Sequence, residues 1–104
     1  MDPEPCGPVC PVLKAASIVG TKWTTLIVRD LLSGPKRYSE LKRSLLGISP
    51  KMLSDRLHML VERGLVTRKV FDTKPPTTEY ALTGLGRDLE GVILAMAEFG
   101  ERLA

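Results

Sequence analysis

The side chains best suited to covalent or metal chemistry are two cysteines, Cys6 and Cys10, and the single histidine, His58. A zinc site needs four ligands at suitable spacing, and these three residues offer neither an obvious fourth ligand nor such spacing. The cysteines form C-x-x-x-C, whereas thiol oxidoreductases carry C-x-x-C within a βαβ pattern. No Ser/His/Asp, paired-carboxylate or phosphate-loop arrangement occurs. We therefore expect no metal, no cofactor and no enzymatic activity.

Cys10 has a second possible role, because it precedes a predicted helix with Pro11 at its start. A helix N-terminus favours negative charge and would stabilise a thiolate, which is the form that reacts with oxidants and electrophiles. Cys10 is therefore a candidate redox-sensing residue, and Cys6 is a possible resolving thiol. The alternative is that Cys10 packs as a small apolar side chain. In a reducing compartment the two cysteines are not expected to form a structural disulfide framework.

Basic residues are concentrated in the middle of the chain, although the net charge is only +3. Between Lys36 and Lys74 there are ten basic and four acidic residues, and the remainder has five basic and eight acidic residues. A basic middle between acidic ends indicates a surface that binds a polyanion. The alternative is an ordinary solvated surface on which charges cluster by chance.

The segment from Ser49 to Arg63 has the pattern of a helix that could enter the major groove of DNA. Ser49 and Pro50 form a helix start, with a capping serine and proline at the first helical position. The apolar spacing turns Leu53, Leu57 and Leu60 inward. It leaves Lys51, Met52, Asp55, His58, Met59 and Glu62 outward, with Arg56 on a flank.

The first two turns of this helix supply the candidate base contacts. Arg56 or Lys51 could donate to guanine, and Met52 could pack on a thymine methyl group. Asp55 could accept from cytosine or orient Arg56. Ser49 and the helix N-terminus suit a phosphate. An ordinary surface helix is the alternative, and His58 is expected to be a bystander.

Further candidate contacts flank this helix on both sides. Before it, the residues expected to neutralise phosphates are Lys36, Arg37, Tyr38, Ser39, Lys42 and Arg43. After it, a predicted hairpin carries Arg68, Lys69 and, at its tip, Lys74. Prolines stiffen that tip, so less entropy is lost when it binds an adjacent groove or the DNA backbone.

The elements that must position these residues follow from hydrophobic periodicity and breakers. The predicted helices are 12–19, 22–32, 39–45 with Ser39 as cap, 50–63, and a long final helix over 83–103. The predicted strands are 65–71 and 78–82. This order is mainly α with a small β-hairpin (α+β): a winged helix-turn-helix, with an extended arm at 1–11 and one domain at 12–104.

The motifs of this chain resemble those of the HxlR family of bacterial winged-helix regulators, which are related to the MarR regulators. The resemblance runs from Cys10 to Gly100 and rests on Gly20-Thr21-Lys22-Trp23, on 34–41 (GPKRYSEL), on 47–53 (GISPKML), and on Pro75-Pro76, Glu79-Tyr80 and Leu82-Thr83. It implies a homodimer that binds a palindromic site on double-stranded DNA. It also places Cys10 where redox-responsive members keep their sensing thiol. Gly84 departs from the glutamate that is common in the family.

Dimerisation is also expected from the apolar surface at the two ends of the domain. The helix at 12–19 is apolar almost all round, and the stripe of the final helix continues beyond its own core, so both should pack across a two-fold axis. The predicted interface residues are Val12, Leu13, Ala16, Val92, Met96, Phe99 and Leu103.

The sequence thus predicts a dimeric DNA-binding regulator that represses or activates transcription, with an oxidant or small molecule of open identity as effector. The alternative function is a protein-interaction winged helix without DNA readout. No apolar run reaches the roughly 18 residues of a membrane span, and the N-terminus lacks the pattern of a signal peptide. We therefore expect no membrane association and a cytoplasmic location.

Overall fold

The computed structural model describes residues 10–103, which form six helices and a three-stranded sheet. The helices are α1 (Pro11–Val19), α2 (Lys22–Leu31), α3 (Tyr38–Ser44), α4 (Pro50–Glu62), α5 (Gly84–Arg87) and α6 (Glu90–Glu101), and the strands are β1 (Lys36–Arg37), β2 (Val66–Phe71) and β3 (Thr77–Leu82). Helices α3 and α4 with the β2–β3 hairpin form the predicted winged helix-turn-helix. Of the predicted arm, only Cys10 and Pro11 are described, and Pro11 already begins α1.

The start and end of α4 are formed as the sequence predicts. The Ser49 hydroxyl accepts a hydrogen bond of 3.0 Å from the Met52 backbone N–H, and Pro50 is the first helical residue. Gly47 in the preceding turn and Gly64 after the helix have φ of 91° and 75°. These left-handed values suit glycine, which has no Cβ to clash. The turn before α4 and the glycine after it therefore fix where the helix begins and ends.

The core lies between α2, α3, α4 and the sheet. The predicted inner face of α4 is confirmed, because Leu53, Leu57 and Leu60 are fully buried. They pack with Ile18, Ile27, Val28, Leu31, Leu41, Leu45, Ile48, Leu65, Val66, Tyr80, Leu82 and Ile93. Met52 and Met59 do not point fully outward as expected, since both are half-buried and pack against this cluster.

The sheet has one strand more than the sequence pattern predicts. Its order is β1-β3-β2, and the short strand β1 pairs antiparallel with β3, with Lys36 opposite Tyr80 and Arg37 opposite Glu79. Two residues show no alternation that could reveal a strand, so only the pairing identifies it. The β2–β3 pairing is continuous from Val66–Leu82 to Phe71–Thr77. The β2–β3 hairpin, which forms the wing, is therefore connected through β3 to strand β1, which directly precedes α3.

The prediction of one continuous helix over 83–103 is wrong. Thr83 does cap a helix, because its Oγ1 accepts from the Gly86 backbone N–H at 3.1 Å. That helix, α5, ends at Arg87, and Asp88 and Leu89 form a tight turn before α6. Leu89 N–H donates to the Gly86 carbonyl oxygen at 3.1 Å. The glycines of this segment lower helix propensity, so interrupting the helix there costs little free energy.

Gly86 is fixed by packing, and its replacement should destabilise the fold. A Cβ at this position would collide with the carbonyl oxygen of Leu65, where β2 begins. Because a backbone atom cannot move aside cheaply, we expect Gly86→Ala to lower the free energy of unfolding by about 1–3 kcal/mol. Chemical denaturation would measure the change.

The matched control is Gly91→Ala in α6, where an added Cβ meets nothing within 4 Å. Alanine favours a helix over glycine, so this variant should be as stable as the parent or more stable by about 0.4–1 kcal/mol. Equal stability of Gly86→Ala and the parent would show that the α5–β2 contact is looser than described.

Candidate nucleic-acid interface

The N-terminal half of α4 presents a polar, accessible face. The Lys51 side chain is 86% exposed, and Ser54 and Asp55 are also exposed. The Asp55 carboxylate accepts a hydrogen bond of 2.9 Å from Lys51 Nζ. The structure therefore pairs Asp55 with Lys51, one turn earlier, and not with Arg56 as one interpretation of the sequence held. Ser54 was missed because serine carries no charge and breaks no apolar pattern.

Arg56 lies on the flank of α4, as expected, but is only partly accessible. It is half-buried, and its Nε is a buried donor without a hydrogen-bond partner among residues 10–103. An unpaired buried donor is costly, but this Nε is shielded from solvent, so only the accessible part of the half-buried side chain can meet an external acceptor. His58, farther along, has Nε2 at 2.8 Å from Glu62 Oε1.

Helix α3 is joined to α4 by a hydrogen bond between their first residues. The Tyr38 hydroxyl donates to the Pro50 carbonyl oxygen at 3.4 Å. Ser39 is not the helix cap, because α3 begins at Tyr38 and the Glu40 carboxylate instead accepts from the Arg37 backbone N–H at 2.9 Å. Ser39 and Arg43 are exposed and Lys42 is half-buried. These predicted phosphate contacts therefore remain available at the surface of α3.

The predicted basic residues of the wing fall into two groups. Lys69 lies on one face of the sheet with Phe71, and its Nζ is 5.0 Å from the centre of that ring. Arg37 approaches the same ring at 5.2 Å and donates to Thr77 Oγ1 at 2.9 Å. Arg37 thus helps to hold the wing against the start of α3. Arg68, the neighbour of Lys69, leaves the opposite face of the sheet, toward α4.

The wing tip carries the predicted Lys74 in an exposed position. Thr73 Oγ1 donates to the Pro75 carbonyl oxygen at 2.8 Å and lies 3.2 Å from Thr77 Oγ1. These hydrogen bonds close the loop on itself. The tip is thus held in a defined shape by its own side chains as well as by its prolines.

The predicted interface residues, which lie on α1, on α6 and just after α6, are all exposed in the single chain. Ile18 is the only buried residue of α1, and Ile93 is the only one of α6. Along α6 an apolar groove of about 750 Å³ is lined by Gly91, Val92, Ala95, Met96, Phe99, Gly100 and Leu103. Phe99 is 59% exposed and Val12 on α1 is 63% exposed. Both ends of the domain therefore leave large apolar side chains in water.

Cys10 immediately precedes α1 and is half-buried. It is disulfide-bonded in the structure, although the sequence favours no structural disulfide framework. Cys6, the other cysteine of the sequence, lies outside the described residues. Among residues 10–103 no group of three or more His, Cys, Asp or Glu side chains could hold a metal ion. Over the same residues no helix is long and apolar enough to cross a membrane.

Comparison with known protein families decides the class of this chain. The family model of the HxlR-like helix-turn-helix proteins matches residues 18–104. The chain belongs to this family. The resemblance seen in the sequence is therefore confirmed, and the HxlR-like chain is a transcriptional regulator of the helix-turn-helix type rather than an enzyme.

Relatives and solved structures agree with this assignment. The HxlR-like chain is 36% identical over 100 residues to the uncharacterized HTH-type transcriptional regulator sll1512 of Synechocystis, covering 93% of this chain and 74% of that one. A structure described as a MarR-family transcriptional regulator from Porphyromonas gingivalis W83 superposes with a TM-score of 0.88 at 41% identity, covering 93% and 95% of the two chains.

Two further similar structures are described in terms of redox state. The redox regulator HypR in its oxidized form superposes on the HxlR-like chain with a TM-score of 0.84 at 37% identity, covering 91% and 98% of the chains. The reduced form of the transcriptional regulator YodB from Bacillus subtilis has a TM-score of 0.77 at 34% identity, covering 92% and 95%. The winged helix-turn-helix fold predicted from the sequence is confirmed by these likenesses.

Proposed function

We propose that this regulator acts as a homodimer that binds a palindromic operator on double-stranded DNA and thereby represses or activates transcription. The observation that carries the proposal is the common surface formed by the start of α4, the exposed side of α3 and the wing. Helix α4 is stably capped, its apolar face is buried, and its first turns are exposed. A helix presented in this way fits the major groove.

The remaining contacts are assigned by the positions of the basic side chains. Lys51, the most exposed cation of α4, is the best placed to donate to a base edge, and Arg56 would contact the DNA through the accessible part of its half-buried side chain. Met52 is half-buried, so only part of its side chain is available to a thymine methyl group. Lys36, Lys42, Arg43 and Lys74 would neutralise phosphates around the groove, since such contacts fix the register of the protein on DNA.

The first test is binding to duplex DNA as a function of salt. Phosphate contacts release counterions, so the affinity should fall steeply as the salt concentration rises. Selection from a random DNA pool should yield a palindrome with half-sites about 34 Å apart. Failure of the protein to bind any duplex at low salt would contradict the proposal and favour the alternative, a protein-interaction winged helix.

Lys51→Ala should weaken binding to the selected operator by about 1–3 kcal/mol and relax the preference at one base pair. Lys74→Ala, in contrast, should weaken binding to operator and random-sequence duplexes by a similar factor, because phosphates carry no sequence information directly. Fluorescence anisotropy with both duplexes would measure the two effects.

Arg87→Ala is the matched control for both variants. Arg87 is exposed on α5, which adjoins the far end of α4, where the Thr83 hydroxyl donates to the Gly64 carbonyl oxygen at 2.7 Å. Its removal takes away the same charge but should leave affinity almost unchanged. A loss equal to that of Lys51→Ala would mean that only the net charge matters.

We also propose that Cys10 senses oxidants, with Cys6 as the possible resolving thiol, and that the protein works in the cytoplasm, where it meets DNA. The disulfide at Cys10 supports an oxidisable site next to α1. The similar structures HypR and YodB, which are described by their redox forms, support a redox response in this chain. Cys10 lies directly before α1 and its exposed apolar side. The oxidation state of Cys10 could therefore influence how two subunits pack.

A further inference from the structure

A polar cleft of about 460 Å³ lies between the exposed side of α4 and the sheet. It is lined by Ser54, Asp55, His58, Val61, Arg68 and Tyr80. Arg68 and Tyr80 are directly paired across β2 and β3, so their side chains leave the sheet on the same face. The strands β2 and β3 therefore contribute two side chains to a surface that they share with α4.

Tyr80 is the unusual residue of this cleft. The side chain belongs to the core and is only 7% exposed. Its hydroxyl makes no hydrogen bond to any residue in 10–103, yet its oxygen is not one of the fully buried unpartnered atoms of that range, so the oxygen is accessible to solvent, and Tyr80 lines the cleft. The hydroxyl of a buried tyrosine usually finds a partner. Because the oxygen is accessible, a group from outside the chain can accept a hydrogen bond from this hydroxyl.

The other polar groups show which kind of partner fits. The Asp55 carboxylate is already paired with Lys51 at 2.9 Å, and His58 Nε2 lies 2.8 Å from Glu62. Arg68 and Ser54 make no side-chain hydrogen bond or ion pair within the described part of the chain. The cleft thus offers a guanidinium and two hydroxyl groups that have no acceptor. Such a donor set suits an oxyanion, because charge-assisted hydrogen bonds to phosphate are strong and directional.

We infer that this cleft holds one phosphate of the DNA backbone beside the major groove, with Arg68, Tyr80 and Ser54 as its donors. The inference rests on the proposed DNA binding, which it deepens by adding Tyr80 and Ser54 to the contacts. It also gives Arg68 a specific role, since its guanidinium would contact the DNA strand next to α4. A phosphate bound between helix and wing would fix their common register on DNA.

The test uses Arg68→Gln and Tyr80→Phe in the full chain, with the selected operator and a random-sequence duplex of equal length. Arg68→Gln should weaken binding to both duplexes about tenfold and reduce the slope of log affinity against log salt by about one. Tyr80→Phe should weaken binding about three- to tenfold. It should leave that slope unchanged, because a neutral hydroxyl displaces no counterion.

Two controls separate a phosphate contact from a structural role. Tyr80→Phe removes only a hydroxyl that has no partner in the described residues, so its thermal midpoint should equal that of the parent. Arg87→Gln removes a guanidinium on α5, away from the cleft, and should keep full affinity. Parent-like DNA binding by both Arg68→Gln and Tyr80→Phe would overturn the inference while leaving the proposed function intact. Absence of DNA binding by the unmodified protein would overturn both.

Discussion

Met96→Glu is expected to convert the proposed dimer into a monomer and to abolish tight operator binding. Met96 lies in the apolar groove along α6 with Phe99 and Leu103. Because a two-fold interface uses the same patch twice, one substitution places two carboxylates in the contact. Burying an unpaired charge costs several kcal/mol. The dimer dissociation constant should therefore rise at least about a hundredfold, as measured by sedimentation equilibrium.

The fold of the single chain should survive this change, since Met96 is 42% exposed in the structure. Operator affinity should nevertheless fall with dimerisation, because a monomer engages one half-site and loses the gain of binding two linked sites. The circular dichroism spectrum of the variant should match that of the parent, which separates loss of assembly from unfolding.

Leu94→Glu is the matched control for Met96→Glu. Leu94 is also a large exposed apolar residue of α6, but it does not line the groove. This variant carries the same new charge on the same helix and should remain dimeric. A monomeric parent at micromolar concentration, or a dimeric Met96→Glu, would contradict the proposed interface.

The sequence predicts best those parts of the fold in which one strong local signal dominates. Ser49 and Pro50 define the start of α4, and the spacing of Leu53, Leu57 and Leu60 defines its buried face. Both predictions are confirmed, because capping and apolar periodicity act within one or two turns. The same locality explains why the bounds of β2 and β3 are predicted to within one residue at each end.

The sequence fails where a contact between distant segments decides the structure. The break between α5 and α6 depends on Gly86 lying against Leu65, a residue more than twenty positions earlier. An apolar stripe continues through the turn, so periodicity alone favours one helix. Strand β1 is likewise formed only by its pairing with β3. In both cases tertiary packing overrides the local pattern.

The site shows the same division between local and long-range information. The exposed first turns of α4 follow from its periodicity, whereas the cleft beside it requires the register of β2 against β3. The alternation of residues along β3 favours an inward position for Tyr80, and its side chain is buried. Only the structure reveals that its hydroxyl has no hydrogen-bond partner in the described residues and that Tyr80 lines the cleft.

Operator affinity is expected to change about 5- to 150-fold when Cys10 is oxidised, which is the usual range of coupling between two sites. Reaction with diamide would join two thiols in a disulfide and transfer two electrons and two protons to the diamide. Cys10 adjoins α1, whose exposed side includes Val12 and Leu13, so a new bond there would alter subunit packing. Because the α4 helices of the two subunits in the proposed dimer must fit half-sites about 34 Å apart, a small rotation of one subunit against the other is sufficient to change operator affinity.

The measurement compares operator affinity for the parent, Cys10→Ser and Cys6→Ser, each after full reduction and after treatment with diamide. The parent should change reversibly, and Cys10→Ser should not respond, since serine cannot form a disulfide. If Cys6 is the resolving thiol, Cys6→Ser should also fail to respond to diamide. If it responds like the parent, Cys10 instead pairs with its equivalent in the other subunit, and non-reducing electrophoresis should show a covalent dimer. Equal responses of the parent and Cys10→Ser would show that Cys10 only packs at the start of α1, and DNA binding would then be independent of its oxidation state.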